Sequence, residues 1–355
     1  MRDYWIDMER GKVKIYDFSK CIENAKDYGG NSGQKLGIRF EDEDWILKFP
    51  KSTRNFKNPD ISYTTSPISE FVGSHIYEML GIPVHETRLG IYGSKLVVAC
   101  KDFTNEYGAL KTFEELKNRY SQAVDEFYSH QSSGNGLGVS LEDVETLLEI
   151  SPALNSVKGL KEHFWNMFVV DEFIGNNDRN NGNWGTVTHN EKTICAPVFD
   201  NGNSFRNKAS DREYLKTLSS EESMRQSAYE TQTCFFLGKD GRKINPALFI
   251  LNNSNRECGE AVKRIVPRID LKIIKEFINS IPGEFQQVKV MSDAQRKYDW
   301  EILKCRYEKI LLPALESMYV VKKQNSLCNR LNEKKEEVRN NSIVINRKDS
   351  ERERL

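Results

Sequence analysis

The segment LKEHFWNMFVVDEFIG, residues 160–175, constrains the fold more than any other part of the chain. Its apolar residues surround a helix on nearly every side, and such a helix is stable only when other elements cover it. A chain of 355 residues is long enough to provide that cover, as one large domain or as two lobes with sizeable cores. The sequence therefore predicts a helical core built around this segment.

A loop rich in side-chain amides follows this helix directly. The stretch FIGNNDRNNGNWG, residues 173–185, places Asp178 among five asparagines. Asparagine favours turns because its short amide competes with the backbone for hydrogen bonds. A turn does not need an Asp and an Asn five residues apart, punctuated by glycine and followed by Trp184. The loop is therefore either an ordinary turn or a set of oxygen ligands for a cationic group.

The charge balance and the cysteine pattern argue against two kinds of site. The chain has 52 basic and 52 acidic residues, so its formal net charge is zero. Proteins that coat nucleic acid normally carry a basic excess, and no direct nucleic-acid binding is expected. The seven cysteines form no C-x-x-C pair and the five histidines are dispersed, which is typical of reduced thiols. Any metal should therefore be held by oxygen, not by nitrogen and sulfur.

The chain shows no sequence pattern of a membrane segment. The N-terminal stretch MRDYWIDMERGKVK is charged and lacks the apolar region of a signal peptide. The longest apolar runs, such as FWNMFVV (164–170), are far shorter than a membrane span. We therefore expect no membrane association, and either a cytoplasmic protein or an effector exported without a signal peptide.

The first hundred residues are interpreted as β-rich structure with one helix. Short alternating stretches between residues 11 and 50 predict strands, with the turn-rich loop DYGGNSGQ between them. Residues 66–83, SPISEFVGSHIYEMLGIP, combine a Ser-Pro start, an apolar 3-4 repeat and a Gly-Ile-Pro stop, and so predict a helix. Residues 86–103 predict a hairpin that ends in a buried strand.

From residue 106 the pattern becomes mainly helical. Residues 111–130 are amphipathic, and residues 140–150, SLEDVETLLEI, begin with a serine cap. A strand pair turning at residues 189–192 interrupts the helices, which then continue. Residues 322–355 hold ten Lys/Arg, six Asp/Glu and no aromatic residue, as in a mobile tail or a solvated helix. The whole pattern predicts an α+β fold.

Four elements suited to phosphate chemistry occur in order along the chain. The turn GGNSGQK (29–35) precedes Lys48 in the apolar strand WILKFP, Asp178 and Asn183 follow in D-x-x-x-x-N spacing, and Asp200 lies in VFDNG. Phosphoryl transfer needs donors for the phosphates, oxygen ligands for Mg²⁺ and a base near the acceptor hydroxyl. Lys48 can bring a positive charge to the phosphates. Asn183 and Asp200 can supply the oxygens, and Asp178 can accept the proton.

Each element also has an ordinary structural interpretation. A lysine in an apolar strand often protects a sheet edge, and D-x-x-x-x-N occurs by chance in most chains of this length. Asp178 alone could cap a turn, and Asp200 with Asn201 and Gly202 has the chemistry of a hairpin turn. GGNSGQK alone is more often a plain hairpin loop than a phosphate loop. The joint order of the elements is what favours a catalytic site.

In this order the motifs resemble those of the HipA-like kinases, bacterial atypical serine/threonine kinases, and among them the short CtkA-type members. The resemblance extends from about residue 10 to about residue 320. It implies a two-lobed, protein-kinase-like fold with a β-rich N-lobe (1–103), a helical C-lobe (104–321) and a charged tail (322–355). The motifs that carry it are SGQKLGI (32–38), ILKFP (46–50), SEFVGSHIYEMLGI (69–82), LVVACKDF (96–103), IGNNDRNNGNWG (174–185) and VFDNG (198–202).

The resemblance implies an ATP- and Mg²⁺-dependent serine/threonine protein kinase. Asp178 would be the catalytic base, and Asn183 and Asp200 would hold Mg²⁺. Lys48 would contact the ATP phosphates, oriented by Glu70. The other ATP contacts would come from the glycine loop, the hinge backbone and a ribose-binding acid: Gly30, Ser32, Gly33 and Gln34; Val98, Ala99, Cys100 and Lys101; and Asp102.

The chain also departs from the family pattern. Asp178-Arg179-Asn180 stands where many members have Asp-Arg-His, so an imidazole contact with the nucleotide is lost. The glycine loop is one residue shorter than in the toxin branch, and Ser32 is the candidate for autophosphorylation. The N-terminal module by which the long toxin HipA helps to engage its DNA-binding antitoxin has no evident counterpart, which lowers the expectation of such a complex.

Two other functions fit the same sequence. The chain could be a growth-inhibiting toxin kinase that acts on a translation factor and is silenced by a small antitoxin-like partner. A neighbouring gene for a helix-turn-helix protein would favour that function. The chain could instead be a non-catalytic nucleotide-sensing or scaffolding module, although such a module usually lacks at least one of the residues Lys48, Asp178, Asn183 and Asp200. The protein substrate is not evident from the sequence.

Overall fold

The first part of the chain forms a six-stranded sheet. The structure is a computed structural model that describes residues 6–7, 11–26, 28, 34–54, 60–121, 140–237 and 241–319. All neighbouring strands of the sheet are antiparallel except the first pair, which is parallel. Their order across the sheet is Tyr16–Asp17, Thr87–Tyr92, Lys95–Lys101, Glu43–Lys48, Lys35–Phe40 and Ile22–Glu23.

The strand Glu43–Lys48 shows how the sheet separates a small core from a cavity. Side chains alternate between the two faces of a strand. Trp45 and Leu47 are buried in a small apolar core on one face, whereas Ile46 and Lys48 point to the other face and line a cavity. The predicted alternation in this segment is confirmed.

One helix, Ser66–Met79, packs against the strands Thr87–Tyr92 and Lys95–Lys101 of this sheet. Pro67 lies in its first turn, where a missing backbone N–H costs nothing, and Gly81 follows its end with a φ of +72°. The helix confirms the prediction for residues 66–83. Its apolar side chains recur at helical spacing and are fully buried: Ile68, Phe71, Val72 and Ile76.

Helices dominate the rest of the chain. Ser140 accepts a hydrogen bond from the backbone N–H of Asp143, at 3.0 Å, which confirms the predicted serine cap. Within the described residues, no helix is both long enough and apolar enough to cross a membrane. The helices are Thr104–Tyr107, Phe113–Ser121, Leu141–Ile150, Pro152–Asn155, Leu160–Ile174, Asp211–Leu218, Glu221–Tyr229, Pro246–Asn252, Arg256–Ile265, the 3₁₀ turn Val266–Arg268, Leu271–Ser280 and Asp293–Arg306, which continues through a π turn, Tyr307–Leu311, to residue 319.

The helix Leu160–Ile174 lies at the centre of this helical part. It contacts the helices Leu141–Ile150, Pro246–Asn252, Arg256–Ile265 and Asp293–Arg306. Side chains on several of its sides are buried, as expected for a helix that is apolar nearly all round. The prediction of a helical core around this segment is therefore confirmed.

A three-stranded sheet lies beside this core, and one of its strands was not predicted. The strands Gly185–His189 and Lys192–Cys195 form the predicted pair. The third strand, Ala109–Thr112, pairs with Gly185–His189 where the sequence was interpreted as helical. The helix predicted for 111–130 begins at Phe113 instead and is described as far as Ser121. Pairing with a distant strand outweighs the local helical pattern at these four residues.

Three two-residue strand pairs complete the described structure. The tail 322–355 and the second half of the predicted helix 111–130 lie outside the described residues. The short pairs are Ile6–Asp7 with Lys12–Val13, Phe236–Leu237 with Arg242–Lys243, and Glu284–Phe285 with Val288–Lys289.

Gly185 lies where the three-stranded sheet leaves no room for a side chain. A Cβ atom at this position would lie 2.1 Å from the carbonyl oxygen of Lys111, which is backbone and cannot turn away. We expect Gly185→Ala to lower the free energy of unfolding by about 1–3 kcal/mol, measured by urea denaturation. Gly283→Ala is the matched control, because its Cβ would meet nothing nearer than 3.7 Å. Equal losses in both variants would contradict this explanation.

Candidate active site

A cavity of about 930 Å³ lies between the six-stranded sheet and the helical part. This volume is typical of small-molecule sites in proteins. The six-stranded sheet and the segments next to it supply lysines, an isoleucine and a cysteine, and the helical side supplies acids and amides. The principal lining residues are Lys26, Tyr28, Lys35, Ile46, Lys48, Cys100, Lys101, Asp102, Phe103, Leu110, Glu114, Asp178, Asn180, Asn183, Phe199 and Asp200.

Lys48 is held between the two parts of the molecule. Its Nζ lies 3.0 Å from Oε2 of Glu70 and 3.0 Å from Oδ1 of Asp200. Burial alone would lower the pKa of Lys48, but the carboxylates of Asp200 and Glu70 outweigh it and hold the pKa above its ordinary value. The strand of Lys48 is paired on both sides, so the alternative that this lysine protects a sheet edge is wrong.

Glu70 receives donors from several elements and is almost completely buried. Besides Lys48, it accepts hydrogen bonds at Oε1 from Nε2 of His85 and from the backbone N–H of Asn201, both at 3.0 Å. Burial would raise the pKa of Glu70, but Lys48, His85 and the Asn201 N–H outweigh it and lower the pKa. The structure therefore brings Glu70 to Lys48, as the resemblance implied, and holds it as an anion.

The asparagine-rich loop begins where the central helix ends. Gly175 ends the helix with a φ of +68°, and the amide of Asn183 donates to the backbone carbonyl of Asp178 at 2.7 Å. Because the amide nitrogen of Asn183 is used inside the loop, its amide oxygen is the atom available to a cation. Asn180 donates to Oδ1 of Asp178 at 3.2 Å. Asp178, Asn180 and Asn183 all line the cavity.

Arg179 fixes this loop from beneath, and sequence analysis did not identify it. Its guanidinium is buried and donates to both carboxylate oxygens of Asp171, at 2.9 and 3.0 Å. It also donates to the carbonyl of Asn183 at 3.0 Å, to the carbonyl of Phe199, and to Oδ1 of Asn201 at 2.5 Å. One side chain thus joins the central helix, the loop and the segment around Asp200. The available signal was the acidic pair Asp171 and Glu172 within a helix that is apolar nearly all round.

Asp200 occupies an unusual backbone conformation at the cavity. Its φ is +62°, a left-handed conformation that Asp tolerates better than most residues. No strand follows Asn201 and Gly202 as far as the helix Asp211–Leu218. The alternative that these residues form a hairpin turn is therefore wrong.

The structure brings only part of the segment predicted as the hinge to the large cavity. Val98 and Ala99 belong to a central strand whose backbone is paired on both sides, and neither lines the large cavity. Ala99 is buried in the small core on the opposite face of the sheet. Within the described residues, the lining at this end comes from Cys100, Lys101 and the segment that follows, and the adenine contacts expected for Val98 and Ala99 stay predictions.

Asp102 lies at the end of this strand and is already engaged. It accepts hydrogen bonds from Nζ of Lys26 at 2.9 Å, from the hydroxyl of Tyr28 at 3.0 Å and from the backbone N–H of Thr104 at 3.0 Å. Burial would raise the pKa of Asp102, but the hydrogen bonds from Thr104, Lys26 and Tyr28 outweigh it and lower the pKa. Lys26 and Tyr28 lie more than seventy positions earlier, and sequence analysis missed both.

Most of the glycine loop lies outside the described residues. Gly30, Ser32 and Gly33 belong to that gap, so their expected contacts stay predictions. Gln34 is described: its side chain is exposed and its carbonyl accepts a hydrogen bond from the backbone N–H of Phe49 at 3.1 Å. Lys35, the next residue, lines the cavity.

The described residues contain one cluster of mixed metal-ligand types, and it does not fit a resident cation. The ligand atoms of Glu70, His85 and Cys100 lie within 4.8 Å of one another and are buried. The ammonium of Lys48 already contacts Glu70, and burial raises the pKa of Cys100 and so keeps it a thiol. Asn183 and Asp200 also line the large cavity, and amide and carboxylate oxygens suit a hard cation better. Their predicted role as Mg²⁺ ligands stays a prediction.

Comparison with known proteins assigns the chain to one family of domains. The profile of the HipA-like C-terminal domain matches residues 20–269. The serine/threonine-protein kinase CtkA of Helicobacter pylori is 33% identical over 298 residues, which are 83% of this chain and 86% of that protein. This protein is therefore similar to CtkA over most of both chains.

Solved structures agree with the sequence comparison. The crystal structure of the Helicobacter pylori proinflammatory kinase CtkA matches with a TM-score of 0.72 and 32% identity, over 85% of this chain and 98% of that one. The predicted two-lobed α+β, kinase-like fold is thereby confirmed. A more distant likeness is to HipA of Shewanella oneidensis MR-1, in its complex with HipB and operator DNA. There the TM-score is 0.48, with 14% identity over 82% of this chain and 68% of the other.

Proposed function

The chain belongs to the family of HipA-like C-terminal domains and is a serine/threonine protein kinase of that type, and we propose that ATP and Mg²⁺ bind in the cavity between its two lobes. The observation that carries the proposal is the position of Lys48, which contacts both Glu70 and Asp200 at 3.0 Å. Asp178 and Asn183 line the same cavity. Three of the four elements singled out in the sequence, namely Lys48, the loop of Asp178 and Asn183, and Asp200, therefore line one cavity, which supports a site for phosphoryl transfer.

The residues divide into those that bind phosphates and those that act on the acceptor. Lys48 pairs with the phosphates of ATP, and Glu70 keeps its ammonium directed at the cavity. The carboxylate of Asp200 and the amide oxygen of Asn183 offer the hard oxygen ligands that Mg²⁺ prefers. Mg²⁺ bound there would neutralise the negative charge on the phosphate oxygens.

Asp178 is proposed to act on the acceptor hydroxyl. Its carboxylate orients the hydroxyl and takes its proton. The acceptor oxygen forms a bond to the γ-phosphorus, and the bond from that phosphorus to the bridging oxygen of ADP breaks. The proton of the hydroxyl ends on Asp178, and the electron pair of the broken bond leaves with ADP.

The nucleotide base and ribose are proposed to bind at the other end of the cavity. Cys100, Lys101 and Phe103 line this end, and we propose that they contact the adenine. Asp102 would exchange its hydrogen bonds from Lys26 and Tyr28 for contact with the ribose. The glycine loop is proposed to cover the phosphates through Gly30, Ser32, Gly33 and Gln34, and Ser32 is the proposed site of autophosphorylation.

The experiment that tests this function follows labelled γ-phosphate from ATP. Purified protein is incubated with Mg²⁺, with and without a generic protein acceptor, and with EDTA as a control. We expect incorporation that EDTA abolishes, and mapping of the label to Ser32 by comparison with Ser32→Ala. No incorporation and no Mg²⁺-dependent binding of ATP would overturn the proposed function.

Replacement of Asp200 tests the metal separately from the chemistry. In Asp200→Ala, Lys48 keeps its contact with Glu70, but a charged oxygen ligand is lost. We expect the affinity for ATP in the presence of Mg²⁺ to fall at least about tenfold, or about 1.4 kcal/mol, while the affinity in EDTA changes little. Isothermal calorimetry under both conditions measures this. Asp293→Ala, at a fully exposed side chain, is the matched control, and an unchanged affinity in Asp200→Ala would remove it as a metal ligand.

The division of the chain is part of the same proposal. Along the chain, the last strand of the six-stranded sheet is Lys95–Lys101, and helices follow from residue 104, which supports lobes at 1–103 and 104–321. The tail at 322–355 stays a prediction. A protein acceptor is implied by the family. A small antitoxin-like partner and a cytoplasmic location stay expectations of the resemblance.

A further inference from the structure

Asp178 borders a second, smaller cavity in addition to the large one. This second cavity has a volume of about 40 Å³ and shares Lys48, Lys51, Asp178 and Asp200 with the large cavity. Asn203 and Ser66 line only the smaller one. The volume is enough for a group the size of a hydroxymethyl or hydroxyethyl side chain, since a water needs roughly 10–15 Å³ by the same kind of measure.

Asn203 holds the carboxylate of Asp178 at this smaller cavity. Its Nδ2 lies 2.6 Å from Oδ2 of Asp178. Ionised carboxylate oxygens only accept hydrogen bonds, so the atom of Asn203 that faces Asp178 has to be its amide nitrogen. A hydrogen bond from an amide to a carboxylate is stronger than one between neutral groups.

The orientation of the Asn203 amide is itself fixed. Its Oδ1 accepts a hydrogen bond from Nδ2 of Asn207 at 3.2 Å. Asn207 is buried, and its carbonyl accepts the backbone N–H of Thr65 at 2.8 Å, just before the helix Ser66–Met79. If the amide of Asn203 were rotated by half a turn, it would lose the hydrogen bonds with both Asp178 and Asn207.

The two oxygens of Asp178 are held by different amides. Asn180, which lines the large cavity, donates to Oδ1 at 3.2 Å, and Asn203 donates to Oδ2 at 2.6 Å. A base directs its lone pairs at an acceptor only when its carboxylate plane is fixed, and misplacement by about 1 Å can cost about 100-fold in rate. The shorter contact makes Asn203 the stronger of these two constraints.

We propose that Asn203 is a positioning residue for Asp178, and that the smaller cavity which it lines admits the acceptor hydroxyl. This inference rests on the proposed function, because it gives Asp178 the role of base. The acceptor side chain enters between Asn203 and Ser66, while the nucleotide occupies the large cavity. Asp178, which borders both cavities, then lies between the nucleotide and the acceptor.

The test compares Asn203→Leu with the wild type. Leucine has nearly the same shape as asparagine but donates no hydrogen bond. We expect kcat to fall about 10–100-fold, with the KM for ATP and the Mg²⁺-dependent binding of ATP within about twofold of the wild type. Asn279→Leu, at an exposed position of the helix Leu271–Ser280, is the matched control and should change neither quantity.

A double-mutant cycle separates positioning from a general structural effect. If Asn203 acts through Asp178, Asn203→Leu should lower the residual single-turnover rate of Asp178→Ala by less than about twofold. An equal loss in both backgrounds would overturn the inference. Should Asn203→Leu fail to fold, as judged by its melting temperature, Asn207→Ala leaves Asn203 in place and removes the amide that donates to its Oδ1 and to the carbonyl of Gly202. Asn207→Ala should then lower kcat as well, and an unchanged kcat in this variant would count against the inference.

The outcomes distinguish this inference from the function on which it rests. If Asn203→Leu transfers phosphate at the same rate as the wild type, the positioning role is overturned, but the proposed function is not. Absence of transfer in the wild type overturns the proposed function and the positioning role together.

Discussion

Replacing Asp178 by alanine is expected to lower phosphate transfer by about 10²–10⁴-fold, the usual contribution of a general base, while ATP still binds. The carboxylate acts on the acceptor in the transition state, and groups of this kind affect kcat far more than nucleotide affinity. The backbone of the loop should survive the change. Arg179 and Asn183 hold it through contacts that do not use the Asp178 side chain.

Single-turnover transfer from labelled ATP measures this loss, and calorimetry with Mg²⁺ measures nucleotide binding. Asp293→Ala is again the matched control, since its side chain is fully exposed, and it should transfer phosphate at the wild-type rate. If Asp178→Ala labelled the acceptor as fast as the wild type, Asp178 would not be the base. Loss of ATP binding in the variant would instead indicate that the loop had collapsed.

Replacing Arg179 by methionine is expected to lower the free energy of unfolding by about 3–5 kcal/mol, the usual cost of removing one partner from a buried ion pair. The carboxylate of Asp171 is buried and receives two of the guanidinium hydrogen bonds. Without Arg179 it would keep only the donors from Tyr77 and Asn176. The carbonyls of Asn183 and Phe199 would also lose their donor.

Urea denaturation of Arg179→Met and of Arg225→Met provides the measurement and its control. Arg225 pairs with Glu222 at 3.0 Å, but both side chains are mostly exposed, and exposed pairs contribute about 0–1 kcal/mol. We expect the Arg225 variant to unfold within about 1 kcal/mol of the wild type. Comparable losses in the two variants would show that the buried pair does not stabilise the fold in the way described.

The features that could be predicted from sequence are those encoded by local patterns. The alternation in WILKFP is enough to place Lys48 and Ile46 on one face of a strand. The D-x-x-x-x-N spacing places Asp178 and Asn183 in one loop, because the two residues are only five positions apart in the segment that follows the helix. The central helix was predictable because an apolar surface on every side has to be buried.

The features that could not be predicted depend on contacts between distant parts of the chain. The hydrogen bond from the Asn201 N–H to Glu70 joins residues 131 positions apart, and no local pattern encodes it. No local pattern encodes the hydrogen bond from Nζ of Lys26 to Asp102 either. Ala109–Thr112 became a strand because Gly185–His189 offered it a partner. Asn203 was not singled out by the sequence analysis, although its amide donates to the carboxylate of Asp178.

The chemical state of Cys100 has a consequence for inhibitor design. Its side chain lines the nucleotide-sized cavity, but burial raises its pKa and leaves the sulfur as a neutral thiol. Electrophilic drugs react with thiolates, and the thiol form is a poor nucleophile. Acrylamide-type compounds aimed at this cysteine should therefore label it slowly at neutral pH. A reversible compound that packs against Cys100 and its cross-strand partner Ile46 has the better prospect, because both side chains line the cavity.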